Sequence, residues 1–496
     1  MTAIGARIEH HGARTAIVDA GGTWTYAQLS DDAARLTTGL TIDSRDAEPP
    51  SVALLCAPGH DFVVAVLACW EAGGLAVPLH PAHPDAELTY YLADSQAGVI
   101  VCSPELEAQA QRLGAAVRAT VVVVAGAPQA RPAQPRAVAS PEPEPDGPAM
   151  MLYTSGTTGR PKGVVHTHHS LRAQIESLVQ AWAWSADDRI PLVLPLHHVH
   201  GVVNVTLCAL WAGALCEAPG GFDALATWER LASGDITLFM AVPTIYTRLI
   251  AAWQSANPTE RERWSAGAAR VRLMVSGSAA LPVSTLERWR EITGHVLLER
   301  YGMTELGMVL SNTLDHRVPG KVGEPLPGIE TRVVDDRGND VPDGEAGELL
   351  VRGPQVFREY WRRADETAAA FVDGWFRTGD VAAHDPDGYR LLGRSSVDII
   401  KTGGEKVSAL EIEEVYRTHP AIADCAVVRV PDDEWGERVC AAVVAIAPAV
   451  TAEELRVWGK QQLAAAKVPS RFVIVPELPR NTMGKVTKTD VRALFS

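Results

Sequence analysis

The chain is short of several things, and each shortage closes off a class of protein. Cysteine is scarce: Cys56, Cys69, Cys102, Cys208, Cys216, Cys425 and Cys440 are odd in number, lie mostly in apolar runs and form no CxxC pair. That excludes a disulfide scaffold and points to reduced thiols in a reducing compartment. Long apolar runs are missing too. The greasiest stretch, residues 62–79, is broken by Glu71, Gly73 and Gly74, and residues 202–215 are too few to cross a bilayer. The opening MTAIGARIEHHGARTAIVDA carries two histidines and scattered charge where a signal peptide would need an uninterrupted apolar stretch. A cytoplasmic protein without a membrane partner is the expectation. A basic excess is also lacking, since 60 acidic side chains outnumber 45 Lys and Arg for a formal charge of −15. Counterion release needs a basic surface, so nucleic acid is not an expected partner, and any polyanionic ligand must meet locally arranged donors.

What is present is a well-packed globular composition, 47% hydrophobic and 21% charged over 496 residues, too long for one core and so expected to form two or more domains. As far as about residue 124, β-branched runs at 51–56, 98–102 and 120–124 alternate with Ala-rich helical stretches, an α/β rhythm. Residues 126–148 hold seven prolines and the fragment PEPEPDGP, which reads as a surface loop. The turn signals DDRGND and PDGEAG within 318–347 mark a β-rich segment. Beyond Gly393 the pattern is that of a small α+β unit, with helices near 409–418 and 451–465 and a strand near 421–430. The fold class is therefore α/β. A large multi-part N-terminal domain at 1–394 is expected, followed by a small mobile α+β lid at 395–496.

Three segments carry chemistry. An apolar strand at 149–153 runs into TSGTTGRPKG, where Thr154, Ser155, Gly156, Thr157, Thr158, Gly159 and Lys162 supply hydroxyls, exposed backbone N–H groups and a cation for wrapping phosphate oxygens. The Walker A spacing is absent, because Lys162 follows Arg-Pro and precedes Gly163, which disfavours a P-loop kinase or GTPase. In ERYGMTE, expected as a loop after a strand at 296–298, an aromatic ring, a hydroxyl and a carboxylate lie together, the parts for stacking a base, touching a phosphate and holding Mg²⁺ through oxygen. WFRTGD ends in Asp380, a carboxylate able to accept both hydrogens of a ribose diol, or else a plain turn aspartate.

Together with PLHHVHG at 195–201, SGSAALP at 276–282, Gly393-Arg394, KTGGEKV at 401–407 and PRNTMGK at 479–485, these segments resemble, in order and over nearly the whole chain, the adenylate-forming superfamily of acyl-CoA synthetases, luciferases and peptide-synthetase adenylation domains. The resemblance implies ATP, Mg²⁺ and coenzyme A. It puts the phosphate loop, Ser276, Gly277, Ser278, Tyr301, Gly302, Met303, Thr304, Asp380 and Arg394 around the nucleotide. Tyr301 packs on adenine, Thr304 meets the α-phosphate, Glu305 ligates Mg²⁺, and Lys485 is the mobile catalytic lysine of the lid. The chain carries one residue more before Gly403-Gly404 than many relatives, so the hinge is expected between Arg394 and Asp398 with no single residue assigned. The double glycine is expected to let the pantetheine arm of CoA pass.

The acid to be activated is read at Arg300, next to the aromatic shelf. A guanidinium there would be unpaired against a fatty tail, yet it could form two charge-assisted bonds with a second carboxylate. The alternative is a structural ion pair with Glu299 or Glu305. Three of the motifs most resemble malonyl-CoA and methylmalonyl-CoA synthetases, which implies that Arg300 and His200, with Ser276 and Met303, form the acyl site. His198 and His200, two apart, could also share a strand face as a zinc pair, but no further ligand stands close in sequence. The expected activity is ATP-dependent ligation of malonate, with methylmalonate tolerated, to free CoA. A ligase for another small, aromatic or medium-chain acid, and a non-catalytic nucleotide-binding subunit, are the competing readings. No carrier-protein partner is expected.

Overall fold

The computed structural model describes every residue except 1–2, 41–48, 125–143, 155–159, 433, 447–449, 481–484 and 496. Most of the proline-rich segment, the heart of the phosphate loop (Ser155, Gly156, Thr157, Thr158 and Gly159) and the four residues before Lys485 thus lie outside the described residues.

Among the described residues the strands form five sheets. The largest has seven strands, in the order Glu359–Tyr360, Lys162–Thr167, Pro148–Thr154, Leu75–Pro78, Ser51–Leu55, Val99–Cys102, Thr120–Val123. Leu75–Pro78, Ser51–Leu55 and Val99–Cys102 are parallel neighbours buried on both faces, which is why 51–55 and 99–102 read as continuous apolar runs rather than alternating ones. A second sheet runs Leu238–Ala241, Leu273–Ser276, Leu298–Met303, Gly307–Ser311, Glu324–Pro325. Glu330–Val334, Ala346–Arg352, Trp375–Asp385 and Gly388–Arg394 build the β-rich segment, with the DDRGND and PDGEAG turns closing its first hairpin. One large apolar core joins these sheets and includes helix His60–Glu71, where every residue from Phe62 to Trp70 is buried, while a second cluster with Leu55, Val77 and Ile100 covers the other face of the seven-stranded sheet.

The fifth sheet lies at the C-terminal end: Glu405–Ser408, Ile399–Thr402, Gly436–Ala445 and Ile422–Asp432, with Arg471–Val475 alongside. Alternation along Ile422–Asp432 sends Cys425 and Val427 to one apolar cluster and Ala426 and Val428 to another, so this unit has a core on each face of its own sheet. Its α-helices among the described residues are Ala409–Arg417, Ala452–Gln462 and Lys488–Ala493. The unit touches the rest of the chain through Val283 N–H donating to Glu414 (2.8 Å), the Lys406–Asp336 ion pair (2.7 Å) and Ser408 Oγ donating to Leu392 O (2.5 Å). Among the described residues no helix is long and apolar enough to cross a membrane.

Two local expectations are corrected. Residues 299–303 do not form a loop after a strand at 296–298; they are the strand itself, Leu298–Met303. It is paired on both sides, parallel to Leu273–Ser276 and antiparallel to Gly307–Ser311, and this pairing overrides the poor strand preference of Glu and Arg. His198 and His200 share no strand face: His198 lies in a turn and His200 opens a π-helical segment, His200–Leu207. Gly201 makes that turn possible, since a Cβ there would sit 2.2 Å from Pro195 O. The segment from Thr154 to Lys162 joins two antiparallel strands, in which Thr154 pairs with Lys162.

Candidate active site

The strand Leu298–Met303 carries two buried side chains that serve opposite ends of one site. Arg300 turns toward the end of strand Leu273–Ser276. Its guanidinium lies over Gly277, where a Cβ would come within 2.4 Å of Cζ, so only glycine admits it. Nη2 donates to Ser278 Oγ at 3.4 Å, while Nε and Nη1 have no partner among the described residues. No ion pair with Glu299 or Glu305 forms: Glu299 accepts from Gly320 N–H (2.8 Å) and Glu305 from the Tyr360 hydroxyl (2.9 Å). Burial pushes the Arg300 guanidinium down to about 9.

Ser278, in left-handed backbone at φ 69°, also stands 3.2 Å from His200 Nδ1, and His200 Nε2 is buried without a partner among the described residues. Burial, reinforced by the charge of Arg300, holds that imidazole far below its ordinary value and hence neutral. Ser276 Oγ is likewise buried and unpartnered. Three elements therefore bring together donors with nothing to donate to, in a protein class where buried polar groups are nearly always paired. The arrangement suits a small carboxylate.

On the other side, the Tyr301 hydroxyl donates to Asp380 Oδ2 at 2.5 Å, and Asp380 Oδ1 lies 3.3 Å from Arg394 Nε. Asp380 and Arg394 are direct cross-strand partners, which explains how residues from two separate motifs meet. Burial raises the Asp380 carboxyl above its usual range, opposed by Arg394. Met303 pairs with Gly307 across a tight turn that presents Thr304 and Glu305, and Gly302 is required there because a Cβ would lie 2.0 Å from Gly307 O. Burial lifts the Glu305 carboxyl too. Thr154 and Lys162 flank the loop, with the Lys162 ammonium on Glu366 and 5.0 Å from the Tyr360 ring.

Lys485 reaches this site from the C-terminal unit. Burial, and then the charges of Arg394 and Arg300, depress its ammonium, and its own charge helps depress His198 and His200. The charges of Arg394 and Arg300 thus both act on this one lysine. Gly403 and Gly404 lie within the C-terminal unit. They form the two-residue tip between Ile399–Thr402 and Glu405–Ser408, both at positive φ (56° and 87°), with the Trp435 ring against Gly403.

Several participants escaped the sequence reading. His166 Nε2–H donates to Thr304 O at 2.7 Å and holds the turn that presents Glu305; burial drops its imidazole to about 4. Tyr360 reaches Glu305 from an edge strand. His80 and His83 pack their rings 4.7 and 5.0 Å from His197. The only local signal was for His166, in the VVHTHHS run that follows the phosphate loop.

The AMP-binding enzyme profile matches residues 5–361, and that of the AMP-binding enzyme C-terminal domain matches 411–485. The chain is 46% identical to mitochondrial malonate–CoA ligase ACSF3 of Mus musculus over 518 aligned residues, covering 97% of this chain and 88% of that relative. It superposes on the ATP-bound crystal structure of MatB from Rhodopseudomonas palustris with a TM-score of 0.88 at 34% identity, each chain covered to 99%. Against apo MatB from the same organism the TM-score is 0.79 at 35% identity, with 99% of this chain and 98% of that one covered.

Proposed function

The chain belongs to the AMP-binding enzyme family, and from that premise we propose that it joins malonate to coenzyme A through a malonyl-adenylate, giving malonyl-CoA, AMP and pyrophosphate. It is an AMP-forming acyl-CoA synthetase. The observation that carries the choice of acid is the buried Arg300 guanidinium with two unpartnered donors beside the unpartnered Nε2 of His200. An apolar acyl tail would leave all of them unpaired, whereas a distal carboxylate accepts from each. Methylmalonate is tolerated in this reading, because one methyl group discriminates by only about 1 to 3 kcal/mol.

The chemistry follows from position and charge. A carboxylate oxygen of malonate attacks the α-phosphorus, and the bond to pyrophosphate breaks in line, so the protein's task is to orient anions and offset their charge. Lys485 neutralises the oxygens gathered between Arg394 and Arg300. Asp380 accepts from the ribose hydroxyls, Tyr301 supplies the adenine shelf, and Thr154 and Lys162 with the 155–159 loop hold the phosphates. Thr304 meets the α-phosphate. The residues present suit Mg²⁺: Glu305 is a buried carboxylate with no ion-pair partner among the described residues, and no three His, Cys, Asp or Glu side chains there are arranged as a metal cage. That matches a hard ion held by one carboxylate and substrate phosphates, and when bound it neutralises charge on the polyphosphate.

In the second step the CoA sulfur attacks the carbonyl carbon, its proton is lost, and the bond from carbon to the AMP oxygen breaks. Lys485 is not needed there. A rotation of a lid spanning 395–496 about the segment 394–398 would withdraw it and bring the Gly403-Gly404 tip toward the acyl group. The better overlay on ATP-bound than on apo MatB supports reading the present arrangement as the adenylate-forming one. Buried, unpaired cysteines support a reducing compartment, for which we keep the cytoplasm as the proposal although the mouse relative is named mitochondrial; cell fractionation decides it.

The test is AMP release, dependent on CoA, with malonate, methylmalonate, acetate, propionate and a longer fatty acid side by side. Malonate is expected to give the highest kcat/KM. Propionate matching malonate would overturn the assignment.

A further inference from the structure

Lys485 must be delivered to within bonding distance of a substrate by a chain segment close to the C-terminus, and a tail segment is ordinarily poorly held. What holds this one is a lattice of charges. Lys488, at the start of helix Lys488–Ala493, places its ammonium on the buried carboxylate of Glu413, donates to Val427 O at 2.7 Å and stands 3.7 Å from Asp398 Oδ1. Glu413 Oε1 also accepts from Val427 N–H (2.7 Å), and its Oε2 accepts from Arg417 at 3.2 Å. Arg417 continues to Asp424 (3.3 Å), whose other oxygen accepts from Arg480 at 2.5 Å. Arg480 and Lys488 lie on either side of Lys485 in sequence; Arg480 pairs with Val486 in an isolated bridge, and Thr487 N–H donates to Pro479 O at 2.9 Å.

The remaining contact of Lys488 leads elsewhere. Asp398 ends the expected hinge; its Oδ2 accepts from Arg394 N–H at 3.0 Å, and it packs over Gly393, where φ is 113° and a Cβ would lie 2.4 Å from the Asp398 Cβ. Arg394 in turn bonds Asp380. The ammonium therefore lies between the carboxylate that anchors the Lys485 segment and the carboxylate that fixes the hinge relative to the ribose-side pair.

We infer that Lys488 is a positioning residue for adenylate formation, acting through Glu413 and Asp398 to fix the Lys485 segment relative to the hinge. The inference rests on the role proposed for Lys485 and makes it more specific. Its loss leaves two buried carboxylates without the cation between them, loosens the segment and removes the link to the hinge. The thioester half-reaction, which does not use Lys485, is spared.

The test uses the full chain carrying Lys488→Met, Lys488→Arg or Lys485→Ala. Pyrophosphate release from ATP and malonate without CoA is measured beside CoA thioester formation from a supplied acyl-adenylate. For Lys488→Met, kcat of pyrophosphate release is expected to fall at least about 30-fold, with KM for ATP and the rate of thioester formation within about threefold of the parent, since misplacing a catalytic group by about 1 Å costs roughly 100-fold. Lys488→Arg, which keeps the cation, recovers most of the loss. An equal fall in both half-reactions, or no fall in either, overturns the inference. If Lys488→Met does not fold, Glu413→Gln must produce the same split. Lys485→Ala tells the two ideas apart: if it fails to separate the half-reactions, the role of Lys485 is wrong; if it separates them and Lys488→Met does not, only the role of Lys488 is wrong.

Discussion

Replacing Arg300 by Met should invert the preference of the enzyme between a diacid and its monoacid analogue. Nε and Nη1 are the guanidinium nitrogens left without partners, and a hydrogen bond involving a charged group is worth about 1.5 to 3 kcal/mol. Two of them amount to roughly 3 to 6 kcal/mol of transition-state binding, or about 10² to 10⁴ in kcat/KM for malonate. Propionate has nothing to offer those donors, so its kcat/KM should hold steady or rise when the cation goes. The same substitution should raise the melting temperature, because burial of an unpaired guanidinium works against the folded state and Met fills the space over Gly277 with apolar atoms. The assay is AMP release with each acid, alongside thermal melts without substrate. An unchanged ratio of malonate to propionate would refute the reasoning, and a melting temperature lowered by several degrees would show that the Ser278 contact of Arg300 outweighs the cost of burying its charge.

Other residues give sharper tests of single contacts. His166→Phe leaves Thr304 O without its donor, at a cost of about 1 to 3 kcal/mol, and should slow adenylate formation roughly 10- to 100-fold with little change in KM for CoA. Glu299 titrates at about 8 in the folded protein because it is buried, above its unfolded value of 4.5. Its stabilising contribution is complete below pH 4.5 and is lost as pH rises through 8. Melting curves of Glu299→Gln should therefore converge with the parent near pH 5 and lie above it at pH 8.5; a constant offset would contradict the assignment. Lys485→Ala should abolish pyrophosphate release while leaving thioester formation from supplied adenylate largely intact, and equal loss in both would remove its assigned role.

What was legible in the sequence was the chemistry that sits in one short stretch. Tyr301, Thr304 and Glu305 are neighbours, and Asp380 and Arg394 each close a motif whose strand carries it to the other. The contacts that orient these groups are long-range. His166 and Thr304 are 138 residues apart, and Tyr360 and Glu305 are 55 apart, so no local pattern joins them. The ERYGM stretch reads as a loop from its polar and glycine residues alone; partners on both sides make it a strand, and composition does not reveal them. His198 and His200 were put on a strand by their spacing of two, a spacing a turn followed by a π-helical segment also accommodates. Ion pairing of Arg300 with its neighbours in the chain was a fair alternative until Glu299 and Glu305 proved to have other hydrogen-bond donors.

The most direct measurement is a crystal structure of the enzyme with malonyl-adenylate bound. The account predicts the distal carboxylate within about 3 Å of Arg300 Nε or Nη1 and of His200 Nε2, with the adenine against Tyr301. A carboxylate directed away from Arg300, leaving those nitrogens as unpartnered as before, would contradict it.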